Sequence, residues 1–232
     1  IVMRLVGSEM CIRDRSLVVI ISLVLFRLAE KDLSAKIESV SSDINIKSKF
    51  IRLWFAFFLG VFAGLMIIGH AVPIIKASGG SSTIAITAIT LMTFGSGIAG
   101  ICVGWLADRY GCKRPIIVIL AINSFALFSL TMINSINILL ILLVLIASLY
   151  GALIAIYPTL VNSIFGADYS AWAYGRIFTA WGFAGLVSPS LAGWLFDQYN
   201  NYNASLLISF ILSIIAGLVI WNMKYEVIDS KR

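Results

Sequence analysis

Charge is what this sequence has least of. Only 12% of its 232 residues are Asp, Glu, Lys or Arg, against 60% hydrophobic. That balance excludes an ordinary soluble domain and places the chain among membrane proteins. Cysteine is scarce too. Cys11, Cys102 and Cys112 are the three, and no two stand at a metal-ligand spacing, which argues against a zinc module and a disulfide framework. Cys102, inside an apolar run, reads as a small packing residue. Histidine occurs once, at His70. No metal and no cofactor are expected. The formal net charge of +6 would suit nucleic acid only if the bases gathered on one face. They punctuate the ends of apolar stretches instead, so a nucleic-acid partner is not expected.

What the chain does have is long apolar runs. Six follow one another: A at 50–75, B at 83–107, C at 115–133, D at 136–163, E at 173–196 and F at 204–223. Each is long enough to cross the hydrocarbon of a bilayer as a helix, some with tilt. No other backbone state keeps its polar groups paired in lipid over such a length. The gaps alternate in charge. Before run A stand Arg27, Lys31, Lys36, Lys47, Lys49 and Arg52; between B and C stand Arg109, Lys113 and Arg114; Arg176 lies at the start of E; Lys224, Lys231 and Arg232 form the tail. The intervening gaps hold a single base, Lys76. Basic gaps face the cytoplasm, so both ends of the six-run unit lie there, and the protein is expected to be integral and multi-pass. Trp54, Trp105, Trp194 and Trp221 sit near run ends, as interfacial anchors do.

The beginning reads differently. Residues 1–15 contain the run Val6-Gly7-Ser8-Glu9-Met10-Cys11-Ile12-Arg13-Asp14-Arg15, which resembles a translated sequencing adaptor. It is set aside as an artefact; it also lacks the apolar core of a signal peptide. Residues 16–27 carry an apolar run of about eleven residues, short of the roughly 20 a bilayer takes, and read as the end of a truncated transmembrane helix. Residues 28–49 are polar and mixed in charge, a cytoplasmic loop. Residues 50–224 form the six-helix unit, and 225–232 a cytoplasmic tail.

One short, charged stretch organises the rest: Gly104-Trp105-Leu106-Ala107-Asp108-Arg109-Tyr110-Gly111-Cys112-Lys113-Arg114-Pro115. Gly104 allows a neighbouring helix to come close. Asp108 opposes the dipole of the helix it ends and needs a partner, with Arg109, Lys113 and Arg114 the nearby candidates and another helix N-terminus a further one. Gly111 suits the left-handed turn that stops a helix, and Pro115 the first position of the next. The pattern G-x-L-A-D-R-x-G-x-K-R resembles the loop signature of the major facilitator superfamily, whose members have two six-helix halves. The resemblance implies an all-α membrane protein: six transmembrane helices of one such half, plus the end of a preceding helix. It also implies that Asp108 contacts the other half, missing from this chain, and helps to hold one face closed.

Further along, run A carries Gly60-x-x-x-Gly64, then Gly69, His70 and Pro73. Small residues at that spacing let helices pack backbone to backbone. His70 lies near the outer end and is a candidate by virtue of being ionisable within a span. Run B carries Thr87, Thr90 and Thr93, whose hydroxyls either line a polar path or bond within the helix. Pro158 bends run D. Run E, with Gly182, Gly185 and Pro189, has the interrupted character of helices that form substrate paths and joints in transporters.

The runs Tyr150-Gly151, Tyr157-Pro158 and Phe165-Gly166 in D, Tyr174 to Gly185 with Pro189 and Asp197 in E, and Ala63 to Pro73 in A together resemble the oxalate/formate antiporter branch of the superfamily, related to monocarboxylate transporters. The likeness covers about 52–222. It implies a secondary transporter for small organic anions with a coupling proton or counter-anion, in contact with the lipid bilayer. Tyr150, Tyr157, Phe178, Trp181 and His70 are then the candidate substrate-facing residues. Gly104, Asp108, Arg109, Gly111, Lys113, Arg114, Gly182, Gly185 and Pro189 are the gating and motif residues. One departure stands out. Oxalate-handling relatives carry a lysine inside the T-A-x-G motif, where this sequence has Trp181, so a monocarboxylate suits it better than a dianion. Two other readings remain: a half-length transporter that self-associates through A and E, and a receptor-like protein that kept the fold without transport. The run Gly95-Ser96-Gly97 is similar to that of an intramembrane serine protease. Thr93 stands where that site has glycine, and His70 lies at the wrong depth, so no enzyme is expected.

Overall fold

In the computed structural model of the chain, residues 44–133 and 135–223 are described. They form eight helices: α1 (Ile44–Ile68), α2 (Ala71–Ala77), α3 (Ser82–Tyr110), α4 (Lys113–Met132), α5 (Ile136–Phe165), α6 (Ala167–Ile177), α7 (Thr179–Tyr199) and α8 (Asn203–Trp221). The chain divides into two units, Ile1–Ser48 and Lys49–Arg232. Of the first, only the opening turn of α1 is described. The adaptor-like stretch, the truncated helix at 16–27, most of the 28–49 loop and the tail lie outside the described residues. The described part of that loop is already helical, because α1 begins at Ile44.

Five helices, α1, α3, α4, α5 and α8, are long and apolar enough to cross a membrane. The sequence expectation was six continuous spans, and two runs depart from it. Run A breaks after Ile68. Pro73 has no amide hydrogen for the Gly69 carbonyl, and its ring crowds that carbonyl. The chain therefore turns at Gly69 and His70 and resumes as the short α2. Run E breaks at Phe178 into α6 and α7. Helix α7 has 21 residues, about 31 Å of rise, and its glycines, serines and proline make it less apolar than the five.

Helix ends follow local chemistry. Ser81 has extended backbone, and its hydroxyl accepts the Ile84 amide at 3.3 Å, capping α3. Gly111 and Gly166 close α3 and α5 at φ +75° and +77°, a region that a Cβ disfavours. Their amides return to Ala107 and Asn162, both at 2.9 Å. Pro115 is not the first residue of α4 as expected. Lys113 is, and Pro115 sits two residues on, still within the turn whose amides have no helical partner.

Within the second unit, α3 packs along α5 and α4 along α8. Leu53, Phe57, Val61, Ala63, Met66 and Ile67 of α1 are fully buried. The α3–α5 seam is the closest. A Cβ on Gly151 would come within 2.7 Å of the Ser96 carbonyl oxygen. The Ser96 hydroxyl donates across the seam to Ala147 at 2.7 Å and within its own helix to Met92 at 2.8 Å. Ser96 is thus held by packing, not poised as a nucleophile.

Candidate transport site

Three of the candidate wall residues come together. Trp181, on the first turn of α7, donates its indole N–H to the Tyr150 hydroxyl oxygen of α5 at 2.7 Å. Its ring stacks on Phe178 with centroids 5.3 Å apart and planes 12° off parallel. Trp181 retains 36% of its surface, and Tyr150 and Phe178 are partly buried. Tyr157 is placed differently from expectation. It is 1% exposed and lies against Phe57 at 4.2 Å, and Phe57 in turn meets Phe178 at 6.2 Å. Tyr157 therefore backs the wall and presents no surface.

The wall is seated by glycine. A Cβ on Gly64 would lie 2.7 Å from Tyr150 Cδ2, and one on Gly60 2.9 Å from Leu153 Cδ2. The Gly60-x-x-x-Gly64 stripe is thus consumed in packing α1 on α5 inside the chain, and both glycines are buried. Trp54 was read as a membrane anchor. It donates its indole N–H to Thr179 Oγ1 at 3.0 Å and stacks on Phe58 at 5.5 Å, tying α1 to the start of α7. Position near a run end gave it the anchor reading; only its partner across 125 residues reveals the second role.

The threonines of α3 resolve toward the helix-internal alternative. Thr87, Thr90 and Thr93 each donate to the carbonyl four residues back, at 3.0, 3.0 and 2.9 Å. The open cleft beside them, about 410 Å³ between α3 and α5, is lined mainly by apolar groups such as Ile84, Leu91, Leu140 and Val144. Cys102, expected to be a packing residue, is exposed on α3.

The charged hinge is assembled as a turn between α3 and α4. Asp108 forms no ion pair with another described residue. Arg109 instead lies over the Trp105 and Tyr110 rings, 5.6 and 5.7 Å from their centroids. Lys113 donates to the Met223 carbonyl at 2.7 Å, fastening the hinge to the end of α8, while Arg114 is exposed. Nothing of the described chain approaches a Cβ at Gly104 within 4 Å, so the expected close helix contact there is absent among the described residues. Cys112 is buried. Burial first, and then the nearby Asp108 carboxylate, push its thiol above the ordinary range.

His70 is set apart, at the end opposite the hinge. Its Nε2 lies 2.9 Å from the Pro189 carbonyl oxygen and its Nδ1 3.4 Å from the Tyr202 hydroxyl. Pro189 also meets Gly69, whose Cβ would lie 3.5 Å from the proline ring. Gly182 has open space around it, and Gly185 has only Leu65 at 4.0 Å. Arg176 lies over Trp172 at 4.3 Å. Among the described residues no group of three His, Cys, Asp or Glu side chains could hold a metal.

Five helices of spanning length, with two runs broken, make a polytopic membrane protein. The chain belongs to the Major Facilitator Superfamily, whose family model matches residues 16–230. It is similar to an oxalate:formate antiporter of Oxalobacter formigenes, 24% identical over 76% of this chain and 42% of that protein. It is similar also to monocarboxylate transporter 12-B of Danio rerio, 28% identical over 54% of this chain and 27% of that protein. A third relative is a cis,cis-muconate transport protein of Acinetobacter baylyi (strain ATCC 33305 / BD413 / ADP1), 29% identical over 60% of this chain and 34% of that protein. The chain spans less than half the length of these relatives.

Proposed function

We propose that this chain is the C-terminal half of a secondary active transporter that moves small organic anions, monocarboxylates among them, by alternating access. The observation that carries the reading is the Trp181–Tyr150 hydrogen bond. An indole N–H can only donate, so the Tyr150 oxygen is the acceptor and its own proton is free to donate elsewhere. A carboxylate is the natural acceptor for it. The Phe178 and Trp181 rings beside it suit the short carbon skeleton of a small acid. Trp181 occupies the position where oxalate-handling relatives carry a lysine, so this half offers a hydrogen bond there in place of a full charge. That favours a monoanion over a dianion. The printed names of these three relatives, oxalate:formate, monocarboxylate and cis,cis-muconate, are those of carboxylates.

The test is uptake of radiolabelled formate and lactate by proteoliposomes carrying the complete protein, with and without internal carboxylate. Counterflow is expected, with a KM that rises about tenfold in Tyr150→Phe, the loss of one hydrogen bond to a charged group. No flux of any carboxylate under any gradient would end the proposal.

A further inference from the structure

His70 joins three elements that are far apart in sequence. It sits at the break between α1 and α2. One ring nitrogen faces the carbonyl of Pro189, inside α7, and the other faces Tyr202, the residue that opens α8. A carbonyl oxygen only accepts, so Nε2 carries the hydrogen in this arrangement. In the tautomer that carries its single hydrogen on Nε2, the Nδ1 lone pair can accept from the Tyr202 hydroxyl, 3.4 Å away.

Gly193 and Gly69 border the contact: a Cβ on Gly193 would lie 3.8 Å from His70 Cε1, and one on Gly69 3.5 Å from the Pro189 ring, both ordinary packing distances. Tyr202 is held in turn by stacking on Phe196, with centroids 4.6 Å apart. One of the elements that His70 joins is broken at Gly69–Pro73, and the other, α7, runs through Pro189, which has no amide hydrogen for the Gly185 carbonyl. Interrupted helices are the joints around which transporter segments bend. A single side chain that bonds to both prevents one from bending without the other.

We propose that His70, as the neutral Nε2–H tautomer, is a latch that couples the α1–α2 break to the proline-weakened middle of α7 and holds this end of the bundle closed. Opening that end breaks the bond to Pro189. The latch is independent of the solute and stands whether or not the solute is a carboxylate.

Two measurements on the complete protein in lipid nanodiscs test it, with no substrate present. The first is the nitrogen-15 spectrum of His70, assigned by its loss in His70→Gln. A protonated Nε2 with a bare Nδ1 is expected; a bare Nε2 overturns the proposal. The second is the distance between spin labels at Lys76 on α2 and Gln198 on α7, both exposed, in a background without other reactive cysteines. The wild type and His70→Gln, whose amide can still donate to the carbonyl and accept from the phenol, should share one narrow distance. His70→Phe keeps the ring and loses both bonds, and should add a second, longer distance. The wild-type distribution in His70→Phe would overturn the latch. Should that variant not fold, the tautomer in the unaltered protein still decides.

Discussion

Gly64 carries more of the site than any polar residue around it, because it has no side chain. The Tyr150 ring fills the space its Cβ would need, 2.7 Å from Cδ2 and 3.2 Å from Cβ and Cγ. The wall therefore exists only while that position is glycine. Gly64→Ala must push the Tyr150 ring away from α1, at a cost of about 1–3 kcal/mol for overpacking, and should separate the phenol from Trp181. Thermal unfolding in detergent reports the first effect, and a change in the Trp181 emission, identified with Trp181→Phe, reports the second. An unaltered melting curve and spectrum would mean that Tyr150 has another resting place. Cys112 offers a second test at this scale. The reactive form of a thiol is the thiolate, and both burial and the Asp108 charge disfavour it. Asp108→Asn removes the negative charge, so the pKa falls and the alkylation rate of Cys112 by iodoacetamide rises at any given pH below it. The rate–pH curve should move toward lower pH yet stay above that of an ordinary exposed thiol, because burial remains. A curve that does not move would show that the carboxylate does not bear on the sulfur.

At the scale of elements, the α3–α5 seam separates glycines that packing requires from glycines that merely tolerate it. A Cβ on Gly151 would meet Ser96 backbone at 2.7 Å, whereas one on Gly100 would meet only Ala155 Cβ at 3.5 Å. Backbone cannot turn aside as a side chain can. Gly151→Ala should therefore lower the unfolding free energy by about 1–3 kcal/mol, and Gly100→Ala should change it little or raise it through helix propensity, by up to about 1 kcal/mol. Equal effects from the two would remove the close seam. Both glycines lie in apolar runs, and the sequence does not distinguish them. What it did make legible is what depends on period and punctuation: the lengths of runs B, C, D and F, the hinge, the stop at Gly111, and the crowding of small residues in run E. It missed what depends on which neighbour arrives. Gly104 looked like a packing glycine and has no close neighbour among the described residues, while Gly60 and Gly64, which looked alike, pack on α5. Tyr157 matched the wall in type and spacing, but its turn of α5 points it at Phe57. The break at Gly69 and His70 was predictable from Pro73, yet the partner of His70 across 119 residues was not.

For the whole molecule, the question is what the charged hinge faces. Arg109 is turned over two aromatic rings and Lys113 is bonded to the Met223 carbonyl. Asp108 stands exposed on the last turn of α3, where a carboxylate opposes the helix dipole. Among the described residues no ion pair offsets that charge. The resemblance to the superfamily's loop signature implies a contact with the other half that holds one face closed. If so, the energy of Asp108 belongs to the closed state of the complete transporter and not to the fold of this half. Asp108→Asn should then leave thermal stability within about 0.5 kcal/mol of wild type, as an exposed substitution does, while transport falls severalfold. A contact worth about 1–2 kcal/mol between the halves changes the closed population by that much. The two readouts discriminate. Lost flux with lost stability would make Asp108 part of the local fold, and full flux would make it a bystander. Lost flux with unchanged stability places its partner across the interface, where a charge-reversal pair could then be sought by restoring transport with a second substitution.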